Sequence, residues 1–432
     1  MAYVKPDGDS YRIQVSNGYD VNGKKIRETI SFTPDQTMSP TQQKKALDKF
    51  VFEFEEKVKN GKFLSGEKMT FQAFYEYWLN EYADKHLEKT TLQSYKAELD
   101  QKIIPAIGHL KIAKIKPTHL QSFYNNLLED GVRKDGKPGG YSPVTIKKDH
   151  AIISGMLSQA VLWQLIESNP CDRVAPPKEV KESIEDVKHF TVEQAEIFLN
   201  ALEMKYTTKY KGHDRIDDTG VKYHVPEYIE TRSIPTQFKV FFNLALFGGL
   251  RRGELIALTW DDLSSTDSSI DINKSTGLVN KEQITKIPKN KTSIRTVVVP
   301  EPIMKMTEKY RKEQLEYRIS LGDQWNGENH LFIQADGKQM NLSTPNHTFH
   351  DIINKYNATV DRDELKLPHI PLHGLRHTSA TFLIAQNIDV RTVSARLGHA
   401  QTSTTVNIYA KALKKLDKKA ANALDDLLIK KV

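Results

Sequence analysis

Three regions with different hydrophobic periodicity follow one another along the chain. In the first, apolar and polar residues alternate from Tyr11 to Val15 and from Lys24 to Phe32, with Asn22-Gly23 as a turn signal between them. Alternation with period two predicts half-buried β-strands, and Asn-Gly favours a hairpin turn. Ser39 and Pro40 then start a helix with one apolar face. We predict a three-stranded sheet backed by one helix in residues 1–62.

The second region, residues 63–178, has the period of helices. Phe71, Phe74, Tyr75, Trp78 and Tyr82 recur at the spacing of one buried helix face. Further helices are predicted at Thr90–Ile104, Lys116–Glu129 and Ser142–Gln164. This pattern predicts an all-α domain of four helices.

The third region, residues 179–432, mixes both patterns. Thr191 and Gln194 have the spacing of a capping box, and Gln237 to Phe247 is an apolar helix. Between them Lys205 to Pro235 is polar and aperiodic, and we assign it no element. Later elements are strands at Ile270–Asn273, Gln283–Pro288 and Thr296–Val299, and helices at Ser379–Gln386, Val390–Leu397 and Leu413–Ile429. Lys289 to Ser293 is interpreted as a polar hairpin tip between the last two strands.

The fold class predicted from these patterns is multidomain α+β. It comprises a small β-rich N-terminal domain with one helix, an all-α domain, and a mainly α domain with a small antiparallel sheet. The chain carries 62 basic and 55 acidic residues, a net charge of +7, which leans mildly toward polyanions. Its single cysteine, Cys171, excludes an intrachain disulfide, and we expect it to be a small buried hydrophobe. No run is apolar enough for a membrane span or a signal peptide, so we expect a cytosolic protein.

Five short motifs lie in the third region. They are FGGLRRGE at 247–254, PKNKTSIRT at 288–296, HGLRH at 373–377, LGH at 397–399 and TTVNIYAK at 404–411. In this order and at these separations they resemble the tyrosine recombinase (phage integrase) family. By the same resemblance, residues 1–62 are similar to an arm-type DNA-binding domain, 63–178 to a core-binding DNA clamp and 179–432 to the catalytic domain, in which 205–235 is an insertion.

The resemblance implies DNA cleavage and rejoining by transesterification, without metal or cofactor. Arg251 and Arg376 match the two catalytic arginines, which suit the extra negative charge on an attacked phosphate. Tyr409 matches the nucleophile, whose phenol forms a 3′-phosphotyrosine and can leave again. His373 and His399 match the two histidine positions that hydrogen-bond the phosphate.

Three further residues support this set. Glu254, one turn after Arg251, is placed to orient it. Lys289 matches the general acid that protonates the departing 5′-oxygen, with Lys291 as the alternative. His377, four residues from His373, has the spacing of a metal pair, but Gly374 and the lack of a nearby carboxylate or cysteine argue against a metal site.

Further polar and basic side chains, most of them outside the motifs, are predicted to contact the DNA backbone. On the N-terminal strands these are Arg12, Gln14, Lys25 and Arg27; in the helical region they are Arg133, Lys134, Lys147 and Lys148, with Thr90, Thr91 and Ser94; in the third region it is Lys291. Each could equally belong to an ordinary solvated surface.

The function implied is that of an integrase of a phage or conjugative element, which recombines two attachment sites through a Holliday junction. The implied partners are double-stranded DNA, a homotetramer on it, a directionality factor (excisionase) and a host DNA-bending protein, in the cytoplasm and nucleoid of a bacterial host. Alternatives are a resolvase-like or topoisomerase-like use of the same site, and a non-catalytic DNA-binding regulator.

Overall fold

The structure is a computed structural model that describes residues 2–19, 25–35, 37–59, 69–178, 189–217, 219–288, 290–403 and 405–406. The chain divides into two compact units, Met1–Glu182 and Ser183–Val432. The division into three domains remains a prediction. No helix among the described residues is long and apolar enough to cross a membrane.

The first unit begins with the predicted sheet and helix. Strands β1 (Tyr3–Asp7), β2 (Ser10–Tyr19) and β3 (Lys25–Phe32) form an antiparallel sheet in that order, followed by helix α1 (Pro40–Lys59). Ile13 and Val15 are buried with Phe54 and Val58 of α1. Arg12 and Gln14, which flank Ile13 in β2, are on the opposite face of the sheet, because successive strand residues point to opposite sides. The sequence prediction for this region is confirmed.

Helices follow in the rest of the first unit. They are α2 (Phe71–Trp78), α3 (Asp84–His86), α4 (Lys89–Glu98), α5 (Ile104–Ile107), α6 (Pro117–Leu128) and α7 (Pro143–Leu162). Five-residue π-helical turns join α2 to α3 and α4 to α5. Each of these pairs therefore occupies the place of a single helix in the prediction. The aromatic stripe and the buried Cys171 belong to one hydrophobic core, as predicted, and the buried Tyr124 lies in the same core.

The second unit opens with α8 (Val192–Glu203), capped as expected: Gln194 N–H donates to the Thr191 hydroxyl at 3.2 Å and Thr191 N–H donates to the Gln194 side chain at 3.0 Å. Next come β4 (Lys205–Tyr210), β5 (His213–Ile216), β6 (Lys222–Val225) and β7 (Tyr228–Ser233). β4 pairs with β7 and β5 with β6, both antiparallel. Leaving Lys205 to Pro235 without an element was therefore wrong. The strands escaped notice because side chains on both faces are exposed, Ile216 and Ile229 included, so no apolar alternation marks a buried side.

The second unit continues with α9 (Thr236–Phe247) and α10 (Arg252–Ala257). Five strands follow: β8 (Leu263–Ser264), β9 (Ser269–Ile272), β10 (Ser275–Val279), β11 (Glu282–Lys286) and β12 (Arg295–Val298). The last helices are α11 (Glu301–Leu321), α12 (Thr344–Asn357), α13 (Gly374–Ala385) and α14 (Val390–Leu397), of which α11 and α12 were not predicted. Residues from α8, α9, α12 and the β9 and β12 strands share one core.

The three predicted strands exist, but the connection between the last two is different from the prediction. β11 pairs with β10, whereas β12 pairs with β9 in a separate sheet. The segment around Lys289 to Ser293 therefore connects two sheets and is not a hairpin tip. The prediction failed because β10, interrupted by Gly277, was not recognised as the partner of β11.

Candidate active site

Two glycines after α9 let the chain turn toward the site. Gly249 has φ of +64°, and a Cβ there would lie 2.8 Å from Leu397 Cδ2. A residue with a side chain would thus be both strained and crowded. The turn places the Gly249 carbonyl where it accepts a hydrogen bond from Arg376 Nη1 at 2.8 Å. It also places Arg251 at the N-cap of α10.

The Arg251 guanidinium is fixed along one side and remains accessible. Its Nη1 donates to Glu254 Oε1 at 2.7 Å and its Nη2 donates to the carbonyl of Gly398 at 3.0 Å. The backbone N–H of Arg251 donates to the other carboxylate oxygen of Glu254 at 2.9 Å. The side chain keeps 35% of its surface exposed, so a ligand can reach it. Glu254 thus contacts the guanidinium that it is predicted to orient, and the orienting role stays a prediction.

Glu254 is buried between two arginines. It also accepts from Arg295, whose Nη1 and Nη2 lie 3.2 and 3.0 Å from its two oxygens. Burial raises the pKa of the Glu254 carboxyl, but the hydrogen bond and charge of Arg295, together with Arg251, outweigh burial and leave that pKa below its ordinary value. The carboxylate is therefore ionised at neutral pH.

Arg376 lies in the first turn of α13 and is 1% exposed. Its Nη2 donates to the carbonyl of Leu397 at 2.6 Å, in addition to the bond to Gly249. The Thr378 hydroxyl fixes the same helix, because it accepts from Phe190 N–H at 3.0 Å and donates to the Gly374 carbonyl at 2.9 Å. Arg376 thus joins the GLRRGE and LGH motifs.

His399 follows a left-handed Gly398 at the end of α14. Gly398 N–H donates to the Ala395 carbonyl at 2.9 Å and His399 N–H to the Ser394 carbonyl at 3.1 Å, the pattern that closes many helices at a glycine. The imidazole Nδ1 shares a 2.8 Å hydrogen bond with the hydroxyl of the fully buried Thr405. Burial, and then the charges of Arg376 and Arg251, lower the pKa of His399 to about 4. The ring is neutral at pH 7.

His373 and His377 pack edge to face, with ring centroids 4.8 Å apart. Burial and the charges of Arg376 and Arg251 lower the pKa of His373. Burial, followed by the neighbouring His373 and the charge of Arg376, lowers the pKa of His377 to about 4. Helix α13 begins five residues before the predicted start, so this pair lies across its first turn. Among the described residues no cluster of three or more metal-ligating side chains is found.

The remaining predicted residues have different outcomes. Tyr409 and Lys289 lie outside the described residues, and of Lys291 only the main chain is described, at the start of a 3₁₀ turn. Sequence reasoning missed Arg295, which lies within PKNKTSIRT but was given no role.

Three of the predicted DNA contacts outside the motifs are held in ion pairs. Arg12 pairs with Asp7 at 2.7 Å, Arg133 with Asp135 at 2.6 Å and Lys148 with Glu98 at 2.7 Å. Lys25, Arg27, Lys134 and Lys147 are exposed and Gln14 is half-buried. Their contacts with DNA stay predictions.

Two protein-family models match parts of this chain. Family models described as "Phage integrase family" and "Phage integrase, N-terminal SAM-like domain" match residues 223–415 and 70–128. A tyrosine recombinase XerC-like protein of Caldanaerobacter subterraneus is 26% identical, over 99% of this chain and 98% of that protein. The ICEBs1 integrase of Bacillus subtilis is 24% identical, over 99% of this chain and all of that protein.

Among solved structures, the Tn1549 transposon integrase in complex with a circular intermediate DNA superposes with a TM-score of 0.58 and 18% identity, over 82% of this chain and 100% of that chain. This likeness shows the fold. Fold and motifs together define a tyrosine recombinase, a site-specific recombination enzyme. The chain belongs to the phage integrase family.

Proposed function

We propose that this chain integrates and excises a mobile genetic element by cleaving and rejoining DNA through a 3′-phosphotyrosine on Tyr409 and a Holliday junction. One observation carries the proposal. The guanidiniums of Arg251 and Arg376 donate to two adjacent carbonyls, those of Gly398 and Leu397, at the helix end that presents His399. Residues from three distant motifs therefore surround one small volume.

The electrostatics of this volume suit a phosphodiester. Burial, and then the positive charges of Arg376 and Arg251, lower the pKa of both His399 and His373. A phosphate bound there would add negative charge beside the two guanidiniums, of which Arg251 already pairs with Glu254. The arginines then stabilise the negative charge that grows on the nonbridging oxygens during attack.

The chemical step conserves bond energy. The Tyr409 phenol oxygen attacks phosphorus, the bond to the 5′-oxygen breaks, and Lys289 gives that oxygen a proton. His373 and His399 hydrogen-bond the phosphate, and His373 assists removal of the phenol proton. A 5′-hydroxyl of the second duplex then attacks the phosphotyrosine and releases Tyr409, so no external energy source is consumed.

The N-terminal sheet is assigned to a second DNA contact. Arg12, Gln14 and Arg27 lie on the face opposite α1, since the strand register pairs Gln14 with Thr29 and Ser16 with Arg27. Such a face presents donors to phosphates. Lys134, Lys147 and Lys148 of the helical region are assigned to the core site.

Further partners follow from family membership. We assign a homotetramer on paired attachment sites, a directionality factor and a host DNA-bending protein. We assign the bacterial cytoplasm and nucleoid as the cellular location of the protein.

The test is trapping of the covalent intermediate. The protein is incubated with end-labelled half-sites from the element's ends, nicked so that the cleaved fragment diffuses away, and then run on a denaturing gel with and without EDTA. We expect a protein-DNA adduct in both lanes. A protein that shifts the duplex on a native gel but forms no adduct is the non-catalytic regulator, and an adduct lost in EDTA contradicts the metal-free mechanism.

A further inference from the structure

Arg295, the first residue of β12, lies where three parts of the site meet. Its side chain is 8% exposed. It donates to both oxygens of Glu254, to the carbonyl of Arg396 at 2.6 Å and to the carbonyl of Ser293 at 3.1 Å. A planar guanidinium with five donors can satisfy such a set, whereas an ammonium group cannot.

Each acceptor is next to a functional residue. Glu254 holds the Arg251 guanidinium, and the Arg396 carbonyl belongs to the last turn of α14, directly before Leu397-Gly398-His399. Ser293 ends the 3₁₀ turn that starts at Lys291, in the segment with the general-acid candidates. One side chain therefore links α10, the end of α14 and the connection before β12.

Close packing reinforces the link to His399. A Cβ on Gly398 would lie 2.9 Å from Arg295 Nη1 and 3.2 Å from its Cζ. The guanidinium thus packs directly against the turn whose carbonyl accepts from Arg251. Arg251 is far more exposed than Arg295, so Arg251 is accessible to a phosphate and Arg295 is largely shielded from one.

We propose that Arg295 is a positioning residue that orients Arg251 through Glu254 and fixes the Gly398–His399 turn, so that both face one phosphate. The catalytic part of this inference rests on the proposed recombinase function. The structural part, fixation of the turn, does not.

The variants are Arg295→Gln, which removes the charge, and Arg295→Lys, which keeps it without the fork geometry. Arg362→Gln is the matched control, because Arg362 is an exposed arginine outside the site. Single-turnover cleavage of the half-site is measured at saturating DNA, beside the dissociation constant for duplex. We expect Arg295→Gln to cleave DNA about 100-fold slower than the parent. Arg295→Lys should recover less than about tenfold of this loss. The duplex affinity of both variants should stay within about threefold of that of the parent.

A double-mutant comparison separates positioning from a general loss of structure. If Arg295 acts through Glu254, the pair Glu254→Gln and Arg295→Gln together cleaves no slower than the slower single variant. Multiplying effects overturn the route through Glu254, and cleavage by Arg295→Gln at the parent rate overturns the whole proposal.

Hydrogen exchange keeps the structural part testable even in a protein that forms no adduct. Amide exchange at Arg396 to His399 is expected to accelerate in both Arg295 variants and not in Arg362→Gln. Unchanged exchange in this segment overturns the positioning role. If the parent protein itself forms no adduct, the recombinase function is refuted. Accelerated exchange in the Arg295 variants would still support the structural part of the inference.

Discussion

Arg251 and Arg376 donate to neighbouring carbonyl groups of one peptide segment, Gly398 and Leu397, although 125 residues separate the two arginines in the chain. Arg251 also pairs with Glu254 and keeps 35% of its side chain exposed, whereas Arg376 is 1% exposed. This difference in burial lets mutation separate the proposed role of the pair in catalysis from its role in folding.

Replacing either arginine by alanine should slow cleavage by about a thousandfold or more, because a fixed donor to the developing charge is lost. Only Arg376→Ala should also lower the free energy of unfolding substantially, by about 2 to 5 kcal/mol, because buried carbonyls of Gly249 and Leu397 lose their donor. Urea unfolding and single-turnover cleavage check both effects. Arg252→Ala is the control, since this neighbouring arginine is exposed. Equal destabilisation by Arg251→Ala and Arg376→Ala would contradict the burial argument.

Gly398→Ala should lower the free energy of unfolding by about 1 to 2 kcal/mol, since φ is +66° and the added Cβ meets the Arg295 guanidinium. Cleavage should slow as well, because the carbonyl of residue 398 and His399 both shift. Gly155→Ala in α7 is the matched control: a Cβ there meets nothing within 4 Å, and alanine favours helix. Thermal unfolding distinguishes them. A Gly398→Ala protein as stable as Gly155→Ala would refute the assigned close contact.

The histidines predict a loss of stability in mild acid. The pKa of His377 and of His399 is lowered from 6.5 to about 4 in the folded state. Below pH 6.5 the unfolded chain therefore binds more protons than the folded one, and stability falls as pH falls from about 6.5 to about 4. The loss is on the order of 1 to 3 kcal/mol per histidine. Unfolding of His377→Gln should therefore show a shallower pH dependence than unfolding of the parent, and an unchanged pH dependence would contradict the assigned burial of the imidazole.

Lys289 and Lys291 can be distinguished by changing the leaving group. A 5′-bridging sulfur departs without a proton, so a variant that lacks the general acid should cleave such a substrate at nearly the parent rate. Lys289→Ala should cleave ordinary DNA about 100-fold slower or more and be rescued by sulfur, while Lys291→Ala needs no rescue. Rescue of Lys291→Ala alone would transfer the role to Lys291.

The sequence singled out Arg251, Arg376 and His399, which the structure brings together, because each motif is local. A glycine at position 398 is by itself a signal for the end of a helix, and Glu254 contacts Arg251 within one helical turn. Arg295 had no such signal, since its partners Glu254 and the Arg396 carbonyl lie 41 and 101 residues away. Only its place in PKNKTSIRT pointed to it.

The strands show the same limit. β9 and β12 were predicted because Ile270, Ile272 and Val297 alternate into the core. β4 to β7 bury little besides Tyr206, so hydrophobic periodicity could not indicate them. The partner of β11 depends on which edge of a sheet is available, and that is decided by the tertiary structure.

The most direct test concerns Tyr409. The parent and Tyr409→Phe are each incubated with the nicked half-site, and peptides from the adduct band are analysed by mass spectrometry. The account predicts a nucleotide linked to Tyr409 in the parent and no adduct from Tyr409→Phe, which still binds the duplex. A covalent adduct that persists in Tyr409→Phe would contradict it.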